Sequence, residues 1–233
     1  MTRYGEIMSL EVFTELLQGS DEWLAARCGI VTASVVGRLV TPTLKTANND
    51  TSRGLTMTLA AERITGHVEP VQPSRAMERG TLDEPYARAK YSEHHAPVTE
   101  LGFMVRQFDG FKIGFSPDGL VNEDGLIEIK SRAQKIQLKT VLANEVPAEN
   151  MAQIQTGLLV SGRAWCDYTS YCGGMKLWTK RVYPDPDWHA AILAAVEQFE
   201  KTAAEMVSTY LDAAADMPDT ERIDHFAELE FTF

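Results

Sequence analysis

The sequence predicts an α+β fold built as a single domain over residues 1–233. Three observations point there. Capped helical patterns fill residues 20–91, strand-type runs separated by Asp-Gly and Gly turns fill 98–131, and strands at 164–182 sit between two further helical stretches. The length of 233 residues suits one sizeable core, and 44% hydrophobic with 24% charged residues is ordinary for a globular chain. No apolar run approaches the roughly 20 residues that span a bilayer. The first residues lack the hydrophobic centre of a signal peptide, so the expected location is the cytoplasm.

Taken in order, Ser20 is placed to cap a short helix, Asp21–Cys28, that Gly29 closes. A second short helix is expected from Ser34 to Leu39. Residues 41–50 are polar and rich in helix breakers, which predicts a loop. Thr51–Ile64 reads as a helix with Leu55, Leu59 and Ile64 near one face and Gly66 as its stop. Ser74–Tyr91 also reads as helical, with an interruption expected at Gly80 and Pro85. Strands follow at Val98–Gln107, Phe111–Phe115 and Leu126–Ser131, with turns at Asp109-Gly110 and Glu123-Asp124-Gly125. Helices are expected at about 133–143 and, opened by Pro147, at 147–161. Strands Ala164–Cys172 and Leu177–Val182 flank Gly173-Gly174, and a long helix, Asp187–Ala215, closes the pattern.

Charge is unevenly distributed. The net charge is −11, but residues 185–233 hold two basic and twelve acidic residues, a balance of −10 that leaves −1 for the rest. A nearly neutral body leaves room for a positive channel, while an acidic C-terminal segment faces away from phosphate. Cys28, Cys166 and Cys172 form no CxxC and read as reduced thiols, which excludes a four-ligand zinc or iron–sulfur site. The five histidines form no metal-binding pattern.

The chemistry-bearing residues are Asp118, in Ser116-Pro117-Asp118-Gly119-Leu120, and Glu128 and Lys130, in Leu126-Ile127-Glu128-Ile129-Lys130. In a strand, Glu128 and Lys130 point to one face, and Ile127 and Ile129 point to the other. An acid and a lysine on a short apolar strand cost stability unless something binds there. Paired carboxylates suit a hard divalent cation, and a neighbouring lysine can neutralise a developing anion. Pro-Asp-Gly is also a turn signature, so Asp118 alone fits either reading.

With those segments in place the chain resembles the lambda-exonuclease and YqaJ-type viral recombinase nucleases of the PD-(D/E)xK superfamily. The resemblance rests on five blocks in order: Gly19 to Arg27 with Ile30 to Ser34; Arg79-Gly80 with Glu84; Ser116 to Leu120; Glu128-Ile129-Lys130; and Met151-Ala152-Gln153-Ile154-Gln155. It implies a restriction-endonuclease-like core, a mixed central sheet flanked by helices. It also implies a 5′-to-3′ exonuclease on linear double-stranded DNA that depends on Mg²⁺, for which Mn²⁺ can substitute. Such an enzyme releases 5′ mononucleotides, leaves 3′ single-stranded tails, forms a homotrimer ring and works with a single-strand-annealing protein in a bacterial host. Residue by residue, the resemblance assigns the metal to Asp118, Glu128 and the Ile129 carbonyl. Lys130 contacts the water or the scissile phosphate, with Glu84 and Gln153 in support. Arg27 and Ser34 take the terminal 5′ phosphate, a role suited to a guanidinium fork and a hydroxyl at a helix start.

Arg132, Lys135 and Lys139 leave the Glu128 strand directly and are expected to touch the DNA backbone. Trp23 reads as core in preference to a base-stacking surface, and Gln155 is left open between a place in the site and simple exposure. Two other functions fit the same residues: a structure-specific or restriction-type endonuclease, and an inactive scaffold that binds DNA ends.

Overall fold

The computed structural model describes residues 9–223. The first strand, β1 (Ser9–Phe13), precedes a helix, α1 (Asp21–Arg27), whose start is fixed by the Ser20 hydroxyl accepting from Trp23 N at 3.2 Å. β2 (Val31–Thr32) and a 3-10 turn (Val36–Arg38) lead to α2 (Asp50–Thr65). Asn49 and Ser52 cap α2 reciprocally, and Gly66 ends it in the left-handed region at φ 65°. α3 (Arg75–His94) is followed by β3 (Val98–Thr99), β4 (Phe103–Phe108), β5 (Phe111–Phe115), β6 (Gly119–Val121) and β7 (Gly125–Ser131). Then come α4 (Gln134–Ala143), α5 (Ala148–Ser161), β8 (Trp165–Tyr171), β9 (Trp178–Val182) and α6 (Pro186–Ala214).

These strands form two mixed sheets, ordered β1-β4-β5-β2 and β3-β6-β7-β8-β9, with one parallel pair in each, β2 with β5 and β7 with β8. The parallel β7–β8 pair needs a crossover, which α4 and α5 supply. β7 is central to its sheet and almost wholly buried, so its two faces enter two different cores. Leu126 joins the larger core with Ile154 and Leu158 of α5 and with Ile192, Val196 and Phe199 of α6. Ile127 and Ile129 enter a smaller core with Ala87 and Tyr91 of α3, Val121 and Trp165. Glu128 and Lys130 thus share the opposite face from the two isoleucines.

Several elements differ from the sequence reading. One central sheet was expected; the strands divide into two. The expected strand Val98–Gln107 is two strands, β3 and β4, that belong to different sheets. The break falls at Gly102, where a Cβ would stand 2.1 Å from the Leu16 carbonyl oxygen, so only glycine permits the crossing. α3 runs through Gly80 and Pro85 without interruption, because Ala87 and Tyr91 pack it along β7, offsetting the roughly 3 kcal/mol that an interior proline costs. The short helix expected from Ser34 is a single 3-10 turn. β1, β2 and β6 were not expected: β2 and β6 are only two and three residues long, and β1 was passed over although Leu10 and Val12 alternate with polar neighbours. Among the described residues no helix is long and apolar enough to cross a membrane.

Candidate active site

The site forms where β6 and β7 part. Their antiparallel register pairs Gly119 with Ile127, so continuing it sets Asp118 beside Glu128. Pro117 has no N–H and cannot extend the ladder. The Asp118 carboxylate takes over, accepting from Ile129 N at 2.6 Å. Gly119 lies within β6 at negative φ, so Pro-Asp-Gly is not a turn here. A Cβ on Gly119 would stand 2.2 Å from Val98 Cγ1, so the glycine serves the close approach of β3.

Glu128 is 1% exposed. Lys130 Nζ lies 2.5 Å from its Oε1 in a close ion pair. Lys130 also donates to Gln153 Oε1 on α5 at 3.1 Å. Burial alone would lower the Lys130 pKa, but the Glu128 and Asp118 carboxylates outweigh it and raise the value. Lys130 therefore stays an ammonium at neutral pH. Burial and then the Glu128 carboxylate push Asp118 well above the ordinary carboxylate range, with Lys130 opposing. Glu84 is raised for the same reasons, burial first, with Arg88 opposing.

Arg88 organises that side of the site and was not anticipated. It pairs with Glu84, donates from Nε to the Asp118 carbonyl at 3.0 Å, and meets Glu100 at 2.8 Å. Its four-residue spacing from Glu84 on one helix was the available signal. On the opposite side Tyr168 pairs in register with Glu128, and its hydroxyl joins Asn150 and Arg132 in one network.

A second cluster lies at the end of α1. The Arg27 guanidinium stacks 3.8 Å over the Trp23 ring and donates to Thr32 Oγ1 at 3.3 Å and Ser34 Oγ at 3.5 Å. Burial lowers its pKa to about 10 while Glu62 opposes, so it remains charged at neutral pH. It makes no ion pair among the described residues. Trp23 is half-buried rather than a core residue, and its Nε1 donates to Ser116 Oγ at 2.9 Å. That bond ties the Arg27 cluster to the loop bearing Asp118. Thr32 and Ser116 lie within motifs the sequence singled out, but neither was given a role there.

The structure thus gathers Asp118, Glu128, Ile129, Lys130 and Gln153 at one point, sets Glu84 beside them through Arg88, and joins Arg27 with Ser34. It does not unite Arg132 with Lys135. Arg132 turns inward to Asn150 Oδ1 at 2.6 Å and Tyr168 at 2.9 Å, while Lys135 lies exposed on α4. Gln155 is buried, not exposed, because its amide bridges Tyr183 O and Asp185 N, each at 2.9 Å.

The donor set fits a hard divalent cation: two buried carboxylates, Asp118 and Glu128, that share one lysine, and a strand carbonyl. Among the described residues no three His, Cys, Asp or Glu side chains form a metal-binding group. Such a set suits Mg²⁺, which keeps several waters.

Fold and site together define a nuclease of the PD-(D/E)xK class. Residues 22–164 match the model of the YqaJ-like viral recombinase domain, and the chain belongs to that family. It is 32% identical to the alkaline exonuclease LHK-Exo from Laribacter hongkongensis, over 85% of this chain and 100% of that one, with a TM-score of 0.75. The same figures hold for that enzyme's complex with dAMP. A phage-related exonuclease from Haemophilus somnus shares the fold at 12% identity and a TM-score of 0.54, over 76% of this chain and 96% of its own. The curated proteins give no match.

Proposed function

We propose that this chain is a Mg²⁺-dependent 5′-to-3′ exonuclease that digests one strand of linear double-stranded DNA. It would release 5′ mononucleotides and leave 3′ tails for a single-strand-annealing protein, in the cytoplasm of a bacterial host. The carrying observation is the Trp23–Ser116 bond, which sets a phosphate-type cluster at Arg27 in fixed relation to the acids. An enzyme that measures from an end needs that link between end pocket and cleavage point. The dAMP complex of the Laribacter relative supports mononucleotide release.

Asp118, Glu128 and the Ile129 carbonyl would hold the cation. When bound, it supplies Lewis-acid polarisation of the phosphoryl oxygen and a more acidic water. Lys130, kept protonated by its two carboxylates and steered by Gln153, offsets charge on the scissile phosphate and positions the water rather than taking its proton. Arg88 holds Glu84 and the Asp118 backbone in place. Arg27, Thr32 and Ser34 bind the terminal 5′ phosphate. Water displaces the 3′ oxygen from phosphorus, so the next nucleotide keeps its 5′ phosphate and presents the same end again.

The test is digestion of linear duplex with 5′-phosphoryl or 5′-hydroxyl ends, beside covalently closed circles, with Mg²⁺ or EDTA. The expected result is Mg²⁺-dependent mononucleotide release, fastest from phosphorylated ends, with circles intact. Cut circles would replace this reading with an endonuclease. End binding in EDTA without release on adding Mg²⁺ would replace it with a scaffold.

A further inference from the structure

Arg79 is fixed in place without an acid to fix it. Its Nε donates to Ser131 Oγ at 2.9 Å, and Ser131 donates in turn to Asp83 Oδ2 at 2.6 Å. Ser131 is the last residue of β7 and follows Lys130 directly. Arg79 and Asp83 are four residues apart on α3, the spacing of an intrahelical ion pair. No such pair forms, and the Asp83 carboxylate goes to the serine instead. The other bond of Arg79, from its NH2 to Ser131 O, is long at 3.5 Å. The guanidinium is thus anchored at Nε, while its two terminal nitrogens are left for another partner on an exposed residue.

Helix packing does not explain the arrangement. No residue of α3 before Ala87 is buried, so the serine bridge ties that half of the helix to β7 where apolar contact does not. Arg75, one turn earlier on the same face, is also exposed. Among the described residues neither arginine makes an ion pair. Ordering a long side chain at the surface costs rotamer entropy, and an arginine ordered in advance loses less when its fork meets an anion. The anion is indicated by position: the strand that ends at Ser131 is the one that carries Glu128 and Lys130.

We propose that Arg79 binds a backbone phosphate of the DNA near the scissile one, with Ser131 and Asp83 holding its guanidinium ready. The inference rests on the nuclease reading and adds a contact to it. Arg27 takes the terminal phosphate on the β6 side, Lys130 faces the scissile one, and Arg79 takes another at the open end of β7. The contact is to phosphate, so it carries no sequence preference.

The experiment follows one 5′-phosphorylated linear duplex, bound in Ca²⁺ and digested in Mg²⁺, with circular dichroism as a check on folding. Arg79→Met should flatten the slope of log affinity against log salt by roughly 0.9, the loss of one phosphate contact. In digestion its KM should rise several-fold, more than kcat falls. Arg79→Lys should restore the slope, because it keeps the charge while losing the serine bond. Ser131→Ala frees Asp83 to pair with Arg79, so its affinity should fall toward that of Arg79→Met. Neutral methylphosphonate linkages, placed one at a time, should reveal a position other than the cut that weakens wild type about tenfold and leaves Arg79→Met unchanged. A wild-type slope in folded Arg79→Met, a lysine variant no better than the methionine one, or no linkage with that pattern would each overturn the contact. Duplex binding with these differences but no Mg²⁺-dependent release would uphold the contact and remove the nuclease reading. A wild type that binds no duplex would remove both.

Discussion

Strands β7 and β8 carry a buried charge cluster on each face of one sheet, and the two are finished differently. On the α3 face Asp167, 4% exposed, accepts from Arg181 Nε and NH2 at 2.8 and 2.9 Å and from the Tyr91 hydroxyl at 2.7 Å. The Arg181 guanidinium also lies 3.5 Å over the Trp165 ring. On the α5 face Glu128 is as deeply buried, but Lys130 alone faces two carboxylates, and the neighbouring Asp118 is pushed to a raised pKa. One cluster has every partner it needs and serves stability. The other is left short of one positive charge, and such incompleteness, with the pKa shift it causes, is common at binding sites.

That contrast is broken most sharply by truncating each cluster. Lys130→Ala should lower nuclease turnover per folded molecule by about 10²–10³, the usual effect of losing one electrostatic stabiliser, and should also lower the melting temperature, because it leaves Glu128 buried without its cation. Activity within a few-fold of wild type would remove Lys130 from the chemistry. Arg181→Met should cost stability alone. It leaves Asp167 buried with Tyr91 alone, at a cost of roughly 3 kcal/mol, the low end for a buried pair because Arg181 is partly exposed. Denaturant unfolding should show that loss, while activity per folded molecule stays level. Tyr91→Phe, which removes one bond to the same carboxylate, should cost about 1.5 kcal/mol by the same measurement.

The two clusters were unequally legible in the sequence. Glu128-Ile129-Lys130 announced itself because an acid and a lysine two apart in an apolar strand share a face, and local spacing alone shows this. Asp167 and Arg181 gave no such sign. They meet only because β8 and β9 pair with that register, a fact of tertiary structure. The same limit hid Trp23–Ser116, residues 93 positions apart, and the inward turn of Arg132 toward Asn150. Helices with clear caps were read to within a residue or two, as at Ser20 and Gly66. The uninterrupted α3 and the split of Val98–Gln107 were not, because packing against β7 and a backbone crossing at Gly102 overrode local preference. The expectations for residues 1–8 and 224–233 lie outside the described residues.

The finest distinction between the clusters is the sign of a pH effect. Asp118 has its pKa raised by burial and by Glu128, so the folded chain binds that proton more tightly than the unfolded one. Its contribution to stability is then full below the ordinary carboxylate range and is lost as pH rises through the raised value. Asp118→Asn keeps an oxygen to accept the Ile129 N–H and removes the charge. In EDTA at neutral pH it should therefore be more stable than wild type by about 1 kcal/mol, as often happens when a functional strain is relieved. The gap should close as the pH falls into the carboxylate range. Saturating Mg²⁺ should reverse the order, because the wild type gains binding energy that the variant does not. Thermal melts of the two proteins across pH, with and without Mg²⁺, decide the matter. A gap that ignored both pH and Mg²⁺ would make Asp118 a satisfied structural acid like Asp167, and the incompleteness of the α5 face would need another cause.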